Sequence, residues 1–84
     1  MPAVYILQSE STKKFYIGCA TQVSVRLEEH RRGQTVSTRG RGPWVLVYEK
    51  QFGTLGEAPR RERQIKSWKS HRSIQELIQA QGKT

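Results

Sequence analysis

The chain has 84 residues, enough for one domain spanning 1–84 and one modest core. Fifteen Lys and Arg against seven Asp and Glu leave a net charge of +8, which points to a polyanionic partner, nucleic acid before anionic membrane. No apolar run is long enough for a membrane span, no hydrophobic leader is expected after Met1, and one cysteine with two histidines excludes an internal disulfide and is too few for a structural zinc site. The expected setting is a reducing cytoplasm without a membrane partner.

In chain order, "AVYILQ" (3–8) and "FYIGCA" (15–20) alternate as strands do, and the short polar "SESTKK" between them predicts an antiparallel hairpin. "TQVSVRLEEHRRG" (21–33) reads as a helix with Thr21 as its cap, Val23, Leu27 and His30 on one face, and Gly33 as its stop. Residues 34–43 form a loop with two glycines, a proline and two arginines. "WVLVYEKQF" (44–52) is the third strand, apolar enough at its start to be read as central or buried on both faces. A second helix starts near Gly56 within 53–69, with Pro59 in its first turn, where a missing N–H matters little. A last helix over about 71–80 carries Ile74, Leu77 and Ile78 on one face and ends at Gly82. The order β-β-α-β-α-α predicts an α+β fold, a three-stranded, mostly antiparallel sheet flanked by helices.

Several residues fit this pattern poorly. Tyr16 lies on the polar side of its strand, and Gly18 weakens that strand unless something must approach the backbone closely. Glu62 interrupts the apolar stripe of Ala58, Ile65 and Trp68, while Arg26 and His30 flank the stripe of the first helix. Taken singly, Glu62 reads as an ion-pair partner of a nearby Arg, His30 as a hydrogen-bonded histidine at the core boundary, and Arg26 as a solvated arginine. Together with Tyr5 and Tyr16 on neighbouring strands they supply the parts of a phosphodiester-cleaving site: an oxygen acid/base, a guanidinium for phosphate charge and a carboxylate for a divalent ion.

At this point the sequence resembles the GIY-YIG nuclease family, and most closely its small stand-alone bacterial (YhbQ-type) members. The two tripeptides that name the family correspond to "AVY" (3–5) and "YIG" (16–18), with ten residues between Tyr5 and Tyr16. Arg26 follows the second tyrosine by ten positions, "EAPRRERQIKSW" places the family's glutamate at Glu62, and "TRGRGPWVLVY" (38–48) matches a segment of the small members. The first tripeptide keeps only its tyrosine; Cys19 stands where some relatives have lysine, and Ile74 where some have asparagine.

The resemblance implies an endonuclease that cuts DNA phosphodiesters with Mg2+ (or Mn2+), with Tyr5, Tyr16, Arg26, His30 and Glu62 as the catalytic group and Glu62 as the metal ligand. Tyr16 or His30 would take the proton of the attacking water, Arg26 would hold the phosphate, and Tyr5 would orient the phosphate or the Tyr16 hydroxyl. A free phenol titrates at about pH 10 and needs help from a cation, whereas an imidazole suits the task near neutrality. Gly18 is expected to leave space for the nucleic-acid backbone.

Phosphate contacts are expected from Lys13, Lys14, Arg31, Arg32, Arg39, Arg41, Arg60, Arg61 and Arg63, each of which also reads as a solvated surface charge. Trp44 and Trp68 read as core before base-stacking platforms. Cys19 reads as a small strand residue and not a nucleophile. Substrates selected by shape, such as branched, flapped, nicked or damaged DNA, and a protein partner complete the expectation, with DNA repair or recombination as its setting. The alternatives are a non-catalytic nucleic-acid-binding module and an accessory subunit of the same fold.

Overall fold

The central strand determines the layout. A computed structural model describes residues 2–32, 43–54 and 56–82. Its elements run β1 (Ala3–Ser9), β2 (Phe15–Ala20), α1 (Val23–Arg31), β3 (Trp44–Gln51), α2 (Glu57–Ser67) and α3 (His71–Gly82), in the expected order. The three strands form one antiparallel sheet in the order β2-β1-β3. β1, not β3, is therefore central, with Ala3, Val4, Tyr5, Ile6 and Leu7 all buried.

Alternation along β1 divides the core into two layers. Val4 and Ile6 meet Ile17, Tyr48, Ala58, Ile65 and Ile74 on the face covered by α2 and α3. Ala3, Tyr5 and Leu7 meet Val23 and Trp44 on the face covered by α1. Each aliphatic side chain so buried contributes roughly 1.5–3 kcal/mol.

The continuous apolar start of β3 has a different cause from the one expected. A register shift between Ile6 and Leu7 pairs Ile6 with Tyr48 and Leu7 with Leu46, which leaves Val47 as an extra residue. This bulge turns Trp44 and Leu46 to the α1 layer while Val47 and Tyr48 both serve the other layer. An edge strand thus feeds apolar side chains to both faces without being central.

The hairpin turn is held by Ser9, whose buried Oγ accepts from the N–H groups of Ser11 and Thr12 at 3.2 and 3.1 Å. The chain then passes Lys13 at φ 64°, a left-handed turn. α1 begins later than expected. Its N-cap is Gln22, whose side chain makes no cap bond, so Thr21 is not the cap. Ser70 caps α3, accepting from Ser73 N at 3.2 Å. The expected loop over 34–42 and the Gly33 stop lie outside the described residues.

Gly18 has a clear steric origin. It stands opposite Tyr5 in the β1–β2 register, and a Cβ there would lie 2.6 Å from Tyr5 Oη and 2.7 Å from Cζ. The thin place in β2 admits the ring of Tyr5 and is filled by it; the space foreseen there for a nucleic-acid backbone is taken by the protein itself. Gly18→Ala is expected to lower stability by about 1–3 kcal/mol, each kcal/mol moving the thermal midpoint by about 4–8 °C. Urea unfolding that showed the alanine variant as stable as wild type would mean that the ring of Tyr5 is elsewhere.

Candidate active site

Tyr5 and Tyr16 both project from the sheet face that α1 covers, with ring centroids 6.4 Å apart. Tyr5 is 1% exposed, whereas Tyr16 is half-buried at the margin. α1 lays His30 across both: its ring edge approaches Tyr16 with centroids 4.7 Å apart, and Nε2 lies 3.0 Å from Tyr5 Oη. Arg26, one turn earlier, acts electrostatically on the Tyr5 hydroxyl. A guanidinium only donates, so the phenolic hydrogen of Tyr5 has His30 Nε2 as its acceptor. That arrangement requires an unprotonated Nε2 on His30.

The electrostatics agree. Burial, then the Arg26 charge, lowers the His30 pKa from its ordinary 6.5 and favours the neutral ring. Burial raises the Tyr5 phenol, an effect that Arg26 opposes. The bond to Tyr5 in turn raises Arg26, which also pairs through Nη1 with Glu29 Oε2 at 2.9 Å.

Glu62 comes from α2, on the opposite layer, and reaches the neighbourhood beside Cys19 of β2. Its Oε2 accepts from Lys66 Nζ at 2.6 Å. The partner one turn along the helix is thus a lysine, where an arginine was expected. Burial alone would raise the Glu62 pKa; the bonds from Cys19 and Lys66, with the charges of Lys66 and Arg63, outweigh it and the carboxyl is held low. Cys19 is pushed up to about 11, first by burial and then by Glu62, which makes its thiol a poor nucleophile. From across the β2 margin, the Glu62 charge also weakly raises the Tyr5 phenol. A hollow of about 320 Å3 opens there, lined by Cys19, Ala20, Thr21, Gln22, Val25 and Arg26.

Among the described residues no group of three or more His, Cys, Asp and Glu gathers to hold a metal ion. A dedicated cage is therefore absent from this part of the chain. The donor chemistry still fits a hard cation that keeps most of its waters: Glu62 is an ionised oxygen donor, partly open at 19% side-chain exposure.

The expected phosphate contacts fare differently. Lys13 and Lys14 lie exposed in the hairpin turn, and Arg60 and Arg63 are exposed on α2. Arg31 and Arg32 approach Glu28 at 3.5 and 3.8 Å, and Arg61 covers the Trp68 ring at 5.3 Å while donating to Gln64. Arg39 and Arg41 lie outside the described residues. Trp44 is 7% exposed in the α1 layer and Trp68 packs on the other, so both serve the core.

Glu29 and Lys66, which hold Arg26 and Glu62, were not singled out from the sequence. Both stand at the i+3 or i+4 spacing that marks helical partners and were readable from it. The place of Cys19 against Glu62 has no such local signal.

The family profile of the GIY-YIG catalytic domain matches residues 1–75. UPF0213 proteins of Staphylococcus aureus strains Mu3 and Mu50 are each 38% identical over 72 residues, which cover 84% of this chain and 87% of theirs. The solution NMR structure of a UPF0213 protein from Bacillus halodurans is similar with a TM-score of 0.62 and 36% identity, covering 98% of this chain and 87% of that one.

The His30 shift carries a pH dependence. A histidine with a depressed native pKa binds fewer protons folded than unfolded, so its contribution is fully present above the ordinary value of 6.5 and is lost as pH falls below it. Glu62, also held low, adds a loss in the same direction in a more acidic range. Urea unfolding between pH 7.5 and 5.0 is therefore expected to show stability falling with acidification, and His30→Gln to flatten the upper part of that fall. Parallel curves for the two proteins would remove His30 from the account.

Proposed function

The chain belongs to the GIY-YIG family, a nuclease family, and from that premise we propose that it is a metal-dependent endonuclease hydrolysing DNA phosphodiester bonds. The observation that carries this reading is the Tyr5 hydroxyl joined to His30 at 3.0 Å, with Tyr16 at the margin of the same cluster and the Arg26 charge acting on it. Buried phenol, neutral imidazole and guanidinium held in one network are preorganised for an anionic reaction centre.

In this reading Arg26 holds the scissile phosphate with its planar fork as charge grows on the non-bridging oxygens. The phosphate competes with Glu29 for that guanidinium, and a half-exposed ion pair is weak enough to be displaced. Tyr16, less buried than Tyr5, positions the attacking water. His30 is neutral and packs against the Tyr16 ring, and its basic nitrogen faces the Tyr5 hydroxyl, so a proton would reach it through Tyr5 Oη. Tyr5 does not face substrate; it fixes Arg26 and His30 relative to each other. GIY-YIG nucleases generally use divalent metal ions, and here Glu62 would hold Mg2+ or Mn2+, which supplies charge stabilisation at the leaving oxygen. The Lys66 ammonium meets the Glu62 charge meanwhile.

The wider reading is a substrate chosen by shape, such as branched, flapped, nicked or damaged DNA, in repair or recombination in the cytoplasm, with or without a protein partner. A surface of net charge +8 supports it, because Lys and Arg contacts read phosphate and its placement and not base edges.

Labelled linear and branched DNA incubated with Mg2+, Mn2+ or EDTA is expected to be cut only with metal, and faster when branched. Arg26→Ala and Glu62→Ala are expected to lose on the order of 100-fold or more in kcat/KM. Tyr16→Phe, which keeps the ring and deletes the hydroxyl, should lose about as much. Cleavage that survives EDTA or Glu62→Ala would refute the metal assignment; tight binding without cleavage under any metal would favour a binding module.

A further inference from the structure

A second hollow lies on the other layer of the sheet, between the hairpin end of β2 and the turn that joins α2 to α3. Its volume is about 320 Å3, at the small end for ligand pockets. Lys14, Lys66 and Lys69 line it together with Phe15, Ile17 and His71, and no acidic side chain does. We propose that this hollow is a subsite for an unpaired nucleotide of the DNA substrate, a path by which a single strand leaves the candidate cleavage site. The proposal rests on the DNA reading above but does not need cleavage.

Three features support one occupant, a single DNA strand. The first is charge: three lysines line a small space, which suits the phosphates of one backbone. The second is a stacking platform. Phe15 and His71 are stacked with ring centroids 4.4 Å apart and 25° between planes, and His71 is exposed. One ring supports the other, and the outer ring offers a π-face to a base without reading its identity.

The third feature is continuity. Lys66 lines this hollow and is also the residue whose ammonium lies 2.6 Å from Glu62 Oε2. One side chain thus connects the subsite to the candidate metal ligand, and a strand bound here continues toward Glu62. The backbone adds a further clue at Lys69, which sits at φ 50°, a region that favours Gly or Asn. A lysine in that conformation has a folding disadvantage, so its presence is better accounted for by its charge at the rim than by the turn.

Binding of a fluorescent oligothymidylate to the full chain in EDTA tests the proposal apart from catalysis. Lys69→Asn is expected to bind roughly fivefold more weakly, with the salt slope smaller by about 0.7 for the lysine removed. Its thermal midpoint should be unchanged or higher, because Asn accepts the left-handed backbone. His71→Ala is expected to weaken oligothymidylate binding about tenfold while leaving an abasic oligonucleotide nearly unaffected, and His71→Phe to restore it.

Wild-type affinity in both Lys69→Asn and His71→Ala overturns the subsite. Equal losses for the abasic strand in His71→Ala overturn the stacking role, and with it a nucleotide-shaped site. Intact metal-dependent cleavage with wild-type binding in both variants defeats this proposal alone. Lys69-dependent binding without cleavage defeats only the nuclease reading.

Discussion

The buried hydroxyl of Tyr5 is the constraint on which the rest of the structure depends. A phenol at 1% exposure in a central strand is tolerable only if its oxygen finds partners, since an unsatisfied polar group there is costly. His30 supplies one at 3.0 Å and the Arg26 charge acts on the same oxygen, and both residues lie on α1. The helix has few apolar anchors of its own: of its nine residues only Val23 and His30 are buried. Its rotation over the sheet is therefore set as much by these polar bonds as by hydrophobic burial. The same bonds place an imidazole and a guanidinium beside Tyr16. Stability and the candidate chemistry draw on one network, and such networks fail together when half satisfied.

The two charged groups closest to the proposed reaction are already engaged. Arg26 pairs with Glu29 and Glu62 with Lys66, each along its own helix. Local pairs of this kind hold a side chain in a productive direction without locking it, because partly exposed ion pairs contribute little. A phosphodiester, whose negative charge grows as it is attacked, and a hydrated divalent cation would offer these groups stronger counter-charges than their helical neighbours do. The free protein thus has its charges compensated, and ligand binding is an exchange of partners with little reorganisation of the backbone.

Much of this was readable from residue spacing, for definite reasons. Period-two alternation placed Tyr5 and Tyr16 on adjacent strands, and helical spacing put Arg26 and His30 on one edge of α1, which the structure bears out. β3 was misplaced because its run of apolar residues was taken as burial on both faces, whereas the bulge at Val47 lets an edge strand alternate imperfectly. Gly18 was correctly read as a close approach but with the wrong visitor. Its cross-strand partner depends on register, and register depends on the hairpin turn held by Ser9 and Lys13. The contact of Cys19 with Glu62 joins a strand to a helix far along the chain, and nothing local in either segment announces it.

Lys66 joins the two layers of this account. Its ammonium is held by the Glu62 carboxylate, and the residue also lines the hollow that Phe15 and His71 line. A cation that stabilises two anionic neighbours cannot serve both fully, so any phosphate that draws Lys66 outward leaves more of the Glu62 charge open. By linkage the reverse would also hold under the proposed assignments: with a divalent cation on Glu62, the Lys66 ammonium would be repelled toward a bound strand. The coupling is small, since Lys66 is half exposed at 52% and water screens it. Its sign follows from the position of Lys66 beside Glu62: in the proposed arrangement the strand and the metal ion would favour each other through one lysine side chain.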